Sequence, residues 1–156
     1  MSDFGTSGSG NGQFQEPSSV TFDSKGNVYV ADFWNQRIQV FSSLGHYLRS
    51  WPVPDWTPQT YDEPYLAFDP ATGHILATDP QQHRILVFTL AGATVGAISS
   101  PDLSLPIGLA VEPGSRIAVS DSQANKLDIF APGHRAAAPK ATAKSRGPKS
   151  GSSKKR

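Results

Sequence analysis

The phrase NVYVADFWNQRIQVF, residues 27–41, returns as ILATDPQQHRILVF and, more loosely, as IAVSDSQANKLDIF. Anchoring the copies on Asp32, Asp79 and Asp121 gives intervals of 47 and 42 residues. The same intervals separate Pro17, Pro64 and Pro106, and again Phe41, Phe88 and Phe130. A basic residue stands five places after each Asp: Arg37, Arg84 and Lys126. Phe4 precedes Pro17 by thirteen residues as Trp51 precedes Pro64, whereas Ile98 precedes Pro106 by eight, so the third connection is the shorter. Self-similarity at such a period marks architectures in which a small unit buries its faces against copies of itself.

Each unit reads as short strands with turn punctuation: SVTFD, the turn SKG, NVYVAD, the turn FWNQ, RIQVF, then HYLRSW. No segment carries apolar residues at a period of 3.6. The runs VYVA, ILAT and IAVS are apolar at successive positions, which suits strands covered on both faces. Four-stranded sheets covered on both faces are what radially stacked blades provide. Asp32 and Arg37, Asp79 and Arg84, and Asp121 and Lys126 each flank a four-residue turn. They are expected to face each other at a hairpin mouth, an opposite-charge pair contributing about 0.2–1 kcal/mol and fixing register.

Residues 17–41, with Pro17, Phe22-Asp23, Gly26-Asn27, Asp32 and Asn35-Gln36-Arg37-Ile38, resemble an NHL repeat. The second unit keeps Phe68-Asp69, Gly73-His74, Asp79 and His83-Arg84-Ile85 but has Gln82 where the pattern has Asn; the third departs at Glu112, Ala124 and Lys126. The resemblance implies an all-β fold of three four-stranded NHL-type blades, half of a six-bladed β-propeller. The expected division is a three-blade region over 1–131, with units at about 4–51, 52–98 and 99–131, and a disordered tail over 132–156.

Three blades leave two end faces bare. If each exposed roughly 500 Å² of apolar surface, about 12 kcal/mol would be forgone per face at 25 cal/mol/Å², against a domain stability of about 5–15 kcal/mol. The arc is therefore expected to find company, either a second chain in a homodimer that closes a six-bladed ring or further blades of a longer chain. In the ring, the N-terminal MSDFG would complete the other chain's third blade.

Charge divides the chain. Residues 1–134 hold six Lys/Arg against thirteen Asp/Glu, a net −7, while the last 22 residues hold eight Lys/Arg and no acid. That segment has no aromatic residue and no apolar residue larger than Ala or Pro, too little to offset the entropy of ordering. Its Lys140, Lys144, Arg146, Lys149, Lys154, Lys155 and Arg156 are the candidates for weak contact with RNA or DNA, while the acidic body disfavours phosphate. The chain has no cysteine, its N-terminus lacks the basic and apolar regions of a leader, and no run approaches a membrane span, so a cytoplasmic location is expected.

No catalytic constellation is evident. GSGNG, residues 8–12, lacks the third glycine and the following helix of a dinucleotide loop, and neither G-x-S-x-G nor H-E-x-x-H occurs. Propeller lyases and hydrolases hold a metal on innermost strands; the matching places here, Ser18, Ser19, Tyr65 and Ile107, are poor ligands, and the four histidines do not converge. No metal, cofactor or enzymatic activity is expected. The turns FWNQ, PQQH and SQAN and the inter-unit connections share one face. Trp34, Asn35, Trp56, Tyr61, Gln82 and His83 are its candidates for gripping a protein, peptide or glycan, amphipathic anchors with amides. The competing reading has the tryptophans packing blades and the amides satisfying turns.

Overall fold

A computed structural model describes residues 3–58 and 62–132. Two short segments, β1 (Thr6–Ser7) and β2 (Gln13–Phe14), pair in parallel ahead of the first repeat. The first antiparallel sheet follows as β3 (Pro17–Phe22), β4 (Val28–Asp32), β5 (Arg37–Phe41) and β6 (Tyr47–Pro52), in that spatial order. The second is built alike from β7 (Leu66–Asp69), β8 (His74–Asp79), β9 (Arg84–Thr89) and β10 (Thr94–Ser99). The third has β11 (Pro106–Val111), β12 (Ile117–Asp121) and β13 (Lys126–Phe130). Its expected fourth strand lies among no described residues, and the basic tail candidates and Tyr61 also fall outside them.

Register turns the period-two alternation of each strand into two working faces. Val28 pairs with Phe41 and Val30 with Gln39, placing these on one face of the first sheet; Tyr29, Ala31, Ile38 and Val40 take the other. The second face packs onto Leu66, Ile75, Ala77, Leu86 and Phe88 of the second sheet, and Phe68 joins that core. The far side of the second sheet repeats the arrangement, with Leu76, Ile85 and Val87 against Ile117, Val119 and Phe130 of the third. Apolar residues at successive positions are needed for this reason, since the middle strands of the first two sheets are buried from both sides. Below, a face directed toward the preceding unit is called leading, and the opposite one trailing.

Polar groups seal the same joints. Arg49, at the end of the first sheet, donates from Nε (3.0 Å) and Nη2 (2.5 Å) to the Leu90 carbonyl in the second. Its guanidinium also reaches the Tyr29 hydroxyl, which donates in turn to Asp23. Burial, then the Asp23 charge and hydrogen bond, push the Tyr29 pKa up to about 12 against the opposing pull of Arg49. Ser115 Oγ of the third unit donates to Asp69 Oδ1 of the second at 2.7 Å. The innermost strands are stitched by small hydroxyls. Ser18 Oγ donates to the Pro64 carbonyl, and the Leu66 N–H donates to Ser19 Oγ, both at 2.9 Å. Ser18 and Ser19, at the places where other propellers carry metal ligands, are thus joints between blades.

The outer strands lock through one aromatic contact that occurs twice. Trp51 lies 5.9 Å from the Phe88 ring, and a Cβ on Gly92 would come within 2.5 Å of its indole, so the turn after β9 closes over it only because Gly92 has none. Forty-seven residues earlier, Phe4 lies 4.9 Å from Phe41, and a Cβ on Gly45 would come within 2.7 Å of its ring. The N-terminal segment thereby holds the position that a preceding unit's fourth strand would hold.

Trp51 is buried and its indole N–H has no acceptor among the described residues, so its contribution is packing alone. Trp51→Ala is expected to cost about 3–5 kcal/mol, read as a lowered midpoint in urea unfolding. Phe4→Ala should cost less than half of that, because its ring is half exposed and covers one side only.

Candidate functional site

The face carrying the second-to-third-strand turns is organised by buried carboxylates. In the first unit the chain leaves β4 at Asp32, makes a short 3₁₀ turn over Phe33–Asn35, and re-enters β5 through Gln36 at φ 50°. The second unit repeats this with Pro80–Gln82 and His83 at φ 53°, and the third places Asn125 at φ 54°. A left-handed residue before each basic partner is what folds the turn back so that strand register is kept.

Asp32 is fully buried and acts as the hub. Its Oδ2 accepts Arg37 Nε at 2.7 Å, Asn35 Nδ2 at 2.9 Å and Gln39 Nε2 at 3.0 Å; its Oδ1 accepts the Gln15 N–H at 2.8 Å. Arg37 Nη2 continues to the carbonyls of Gly10 and Gln13, Gln39 Oε1 accepts the Gly12 N–H, and Asn35 also donates to the Gly8 carbonyl. The glycine-rich stretch is therefore a cap tied down on the first unit.

The second unit keeps the ion pair and loses most of the hub. Arg84 Nε meets Asp79 Oδ2 at 2.8 Å and its Nη2 reaches Asp55 at 3.1 Å, but the buried Oδ1 of Asp79 has no partner among the described residues. Burial pushes the Asp79 pKa up, and the Arg84 hydrogen bond and charge do not fully offset it. In the third unit the register sets Lys126 opposite Asp121 as expected, but the direct contact of its amine goes elsewhere. Lys126 turns to Asp128 Oδ1 at 3.0 Å, and Asp121 accepts the backbone N–H groups of Ser104 (2.6 Å), Leu105 (2.9 Å) and Ala124 (3.1 Å). A lysine head is a single charge on a flexible stem and takes the nearest carboxylate, whereas the arginine fork suits the in-plane geometry of the hub. Burial raises the Asp121 pKa, yet those backbone N–H groups outweigh it and hold the group below its ordinary value.

The candidate ligand residues separate on inspection. Trp56 is a correction: it is wholly buried between the first two sheets, edge-on to Phe33 at 6.4 Å, and its indole donates to the Thr78 carbonyl at 3.2 Å. It plugs the joint between blades, as Leu103 does one unit later. Asn35 spends its amide N–H groups on Asp32 and Gly8. Trp34 remains 41% exposed on a turn whose neighbours are all anchored. Gln82 and His83 are exposed, with His83 Nδ1 hydrogen-bonded to the Ser104 carbonyl. Gln39, a buried polar residue at the place where the second unit has Leu86, was not singled out by sequence reasoning. The signal was present: a lone amide on the strand RIQVF, where a hydrophobe is expected. Among the described residues no three acids or histidines gather as a metal site, and no helix is long and apolar enough to cross a membrane.

Three sheets stacked face to face about a common set of inner strands define a segment of a β-propeller. A streptogramin B lyase of known structure superposes with a TM-score of 0.59 at 15% identity, over 74% of this chain and 37% of that one, a likeness of fold. Residues 14–41 match the NHL repeat, and the relatives of the chain are NHL-repeat proteins. Human NHL repeat-containing protein 3 is 50% identical over 48 residues, 30% of this chain and 14% of that protein. Human E3 ubiquitin-protein ligase TRIM32 is 32% identical over 142 residues, 81% of this chain and 21% of that protein. The chain thus spans about a fifth or less of the length of these relatives.

The unequal hubs set opposite pH responses. Asp121, with a depressed folded pKa, contributes stability that is complete above its ordinary 3.8 and is lost as pH falls through the folded value. Asp79, with a raised one, contributes stability present below 3.8 that is lost as pH rises through its folded value. Asp32→Asn is expected to cost about 3 kcal/mol at neutral pH by stranding Arg37 and Gln39. Asp79→Asn should cost less than half as much. Urea titrations of both variants at pH 7 and 4 check this; for Asp79→Asn the deficit should widen at pH 4.

Proposed function

We propose that this chain is a non-enzymatic interaction module that holds a protein or peptide on its turn face. Trp34 is the anchor, and Gln82 and His83 are polar contacts beside it. The observation that carries the reading is the exposed indole of Trp34 on a turn fixed by Asp32, Asn35 and Gln36. A large aromatic held rigid by its neighbours contributes contact area at low ordering cost, the property that concentrates binding energy in few residues. The match to a ubiquitin ligase along most of this chain is in keeping with a part that recognises a partner while chemistry lies elsewhere in the longer protein. Tyr61 stays a candidate by sequence alone.

A second reading rests on the charge division. The tail from residue 135, with eight Lys/Arg beside a body of net −7, supplies a sequence-independent affinity for RNA or another polyanion.

Peptides selected on the wild-type chain from a random displayed library separate the two. Trp34→Ala should weaken the selected peptides about tenfold or more, leaving the unfolding free energy within about 0.5 kcal/mol of wild type. Unchanged peptide affinity would remove Trp34 from the site. Deleting residues 135–156 should leave peptide binding intact and abolish the salt-dependent binding of a fluorescent single-stranded RNA. Retained RNA binding would assign that activity to the body.

A further inference from the structure

The residues exposed at the two ends of the arc are the ones buried at its joints. On the leading face of the first sheet Phe22 is 59% and Val20 55% exposed, whereas their counterparts one unit on, Phe68 and Leu66, pack into the core between the first two sheets. On the trailing face of the third sheet Leu127 is 72% and Ile129 60% exposed. Their counterparts, Ile38 and Val40 in the first unit and Ile85 and Val87 in the second, are buried. Both ends are thus cut surfaces of the same joint, one of each hand.

The trailing cut is also hollow. Ala110 and Ala118 stand where the first unit has Thr21 and Tyr29, leaving a depression of about 300 Å³ lined by Ala110, Val111, Glu112, Arg116, Ala118 and Ile129. A second, shallower depression, bordered by Ile107, Ser120 and Leu127, lies where Trp56 and Leu103 plug the earlier joints. The leading cut is its counterpart in relief, with Phe22 and Val20 standing out beside Val28 and Val30. Phe4, seated on Phe41 and Gly45 as Trp51 sits on Phe88 and Gly92, already supplies the outer-strand aromatic that the third sheet does not present among the described residues.

We propose that the leading face around Phe22 and the trailing face around Ile129 are mates, and that a second copy of this chain occupies both, closing a six-bladed ring through two identical head-to-tail joints. Head-to-tail contacts close when the rotation per subunit divides a turn. Three blades per copy give six in all, inside the range of about four to eight at which propellers close. Phe22 of each copy enters the Ala110–Ala118 hollow of the other, as Phe68 packs against the core that holds Tyr29 and Val40 within the chain, and Phe4 lies beside β13. The closed ring removes the exposed apolar ends that an arc in water would carry.

Sedimentation velocity on the full chain at micromolar concentration tests this. The expected result is a closed species of about twice 16.7 kDa whose mass does not grow with concentration. Val20→Glu with Phe22→Glu, and separately Leu127→Glu with Ile129→Glu, alter residues already exposed in the arc and should leave the far-ultraviolet circular dichroism of wild type. Each double variant alone should be monomeric, its self-association weakened about a hundredfold or more. Mixed one to one, they should form a heterodimer, because one intact joint remains between unlike chains. A wild-type chain that stays a soluble monomer overturns the proposal and leaves the end faces to further blades of a longer chain. Open-ended growth, a double variant that still dimerises, or two well-folded variants that fail to combine when mixed overturn it as well.

Discussion

A sheet with two apolar faces has no stable existence unless both are covered, and that requirement organises everything else in this molecule. Tyr29, Ile38 and Val40 have value only because Leu66, Ile75 and Phe88 lie against them, and the far side of the second sheet depends in the same way on the third. Burial of this kind scales with the area removed from water, so the unit of stability is the joint between sheets rather than the sheet. The two joints share an apolar floor from the middle strands and a plug, Trp56 or Leu103, at the turn face; the first adds Trp51 closed over by Gly92, where the second has Ile98. Arg49 and Ser115 add directed hydrogen bonds that an apolar contact cannot supply, and so fix how one sheet is oriented on the next.

The carboxylate hub solves a different problem. Middle strands end at a surface where backbone groups of two connections converge, and a buried unpaired polar group there would cost about 1–3 kcal/mol. One Asp per unit answers this, but the partners change: side chains and one N–H for Asp32, an arginine for Asp79, three N–H groups for Asp121. A fixed anchor with exchangeable partners lets the loops around it differ in length and sequence without disturbing the sheets. This is the arrangement that places exposed turn residues such as Trp34 on a rigid base.

The repeat made the architecture legible because period, strand length and turn residues all agree at each copy. The pairs Asp32–Arg37 and Asp79–Arg84 follow from a five-residue spacing across a hairpin, and the registers place them opposite each other. In the third unit the spacing again sets Lys126 opposite Asp121, but Asp128, two residues from Lys126, captures the amine. Trp56 was misplaced because a tryptophan in a connection between units reads as a surface anchor, and only the stacking of two sheets reveals the groove it fills. Gln39 escaped notice for the opposite reason. Besides Asp32, its partners Gly12 and Gln13 are more than twenty residues away in sequence, in a glycine-rich stretch that reads as a flexible connection.

The ends of the arc and its turn face use different residues of each blade, and this separates two demands that often compete. Covering the ends consumes the flat faces of the outer sheets, the positions of Phe22 and Ile129, while the turn residues project along the stacking edge. Trp34, Gln81 and Gln123 occupy one repeat position in three successive units, an exposed indole in the first and a half-buried amide bonded to the Asp62 carbonyl in the second. The turn face can then vary residue by residue while the joints, which require the same apolar pattern every time, stay fixed. The uneven fidelity of the three units follows: the third keeps Val119 and Phe130 at its joint and departs from the pattern at Ala124 and Lys126, at the turn.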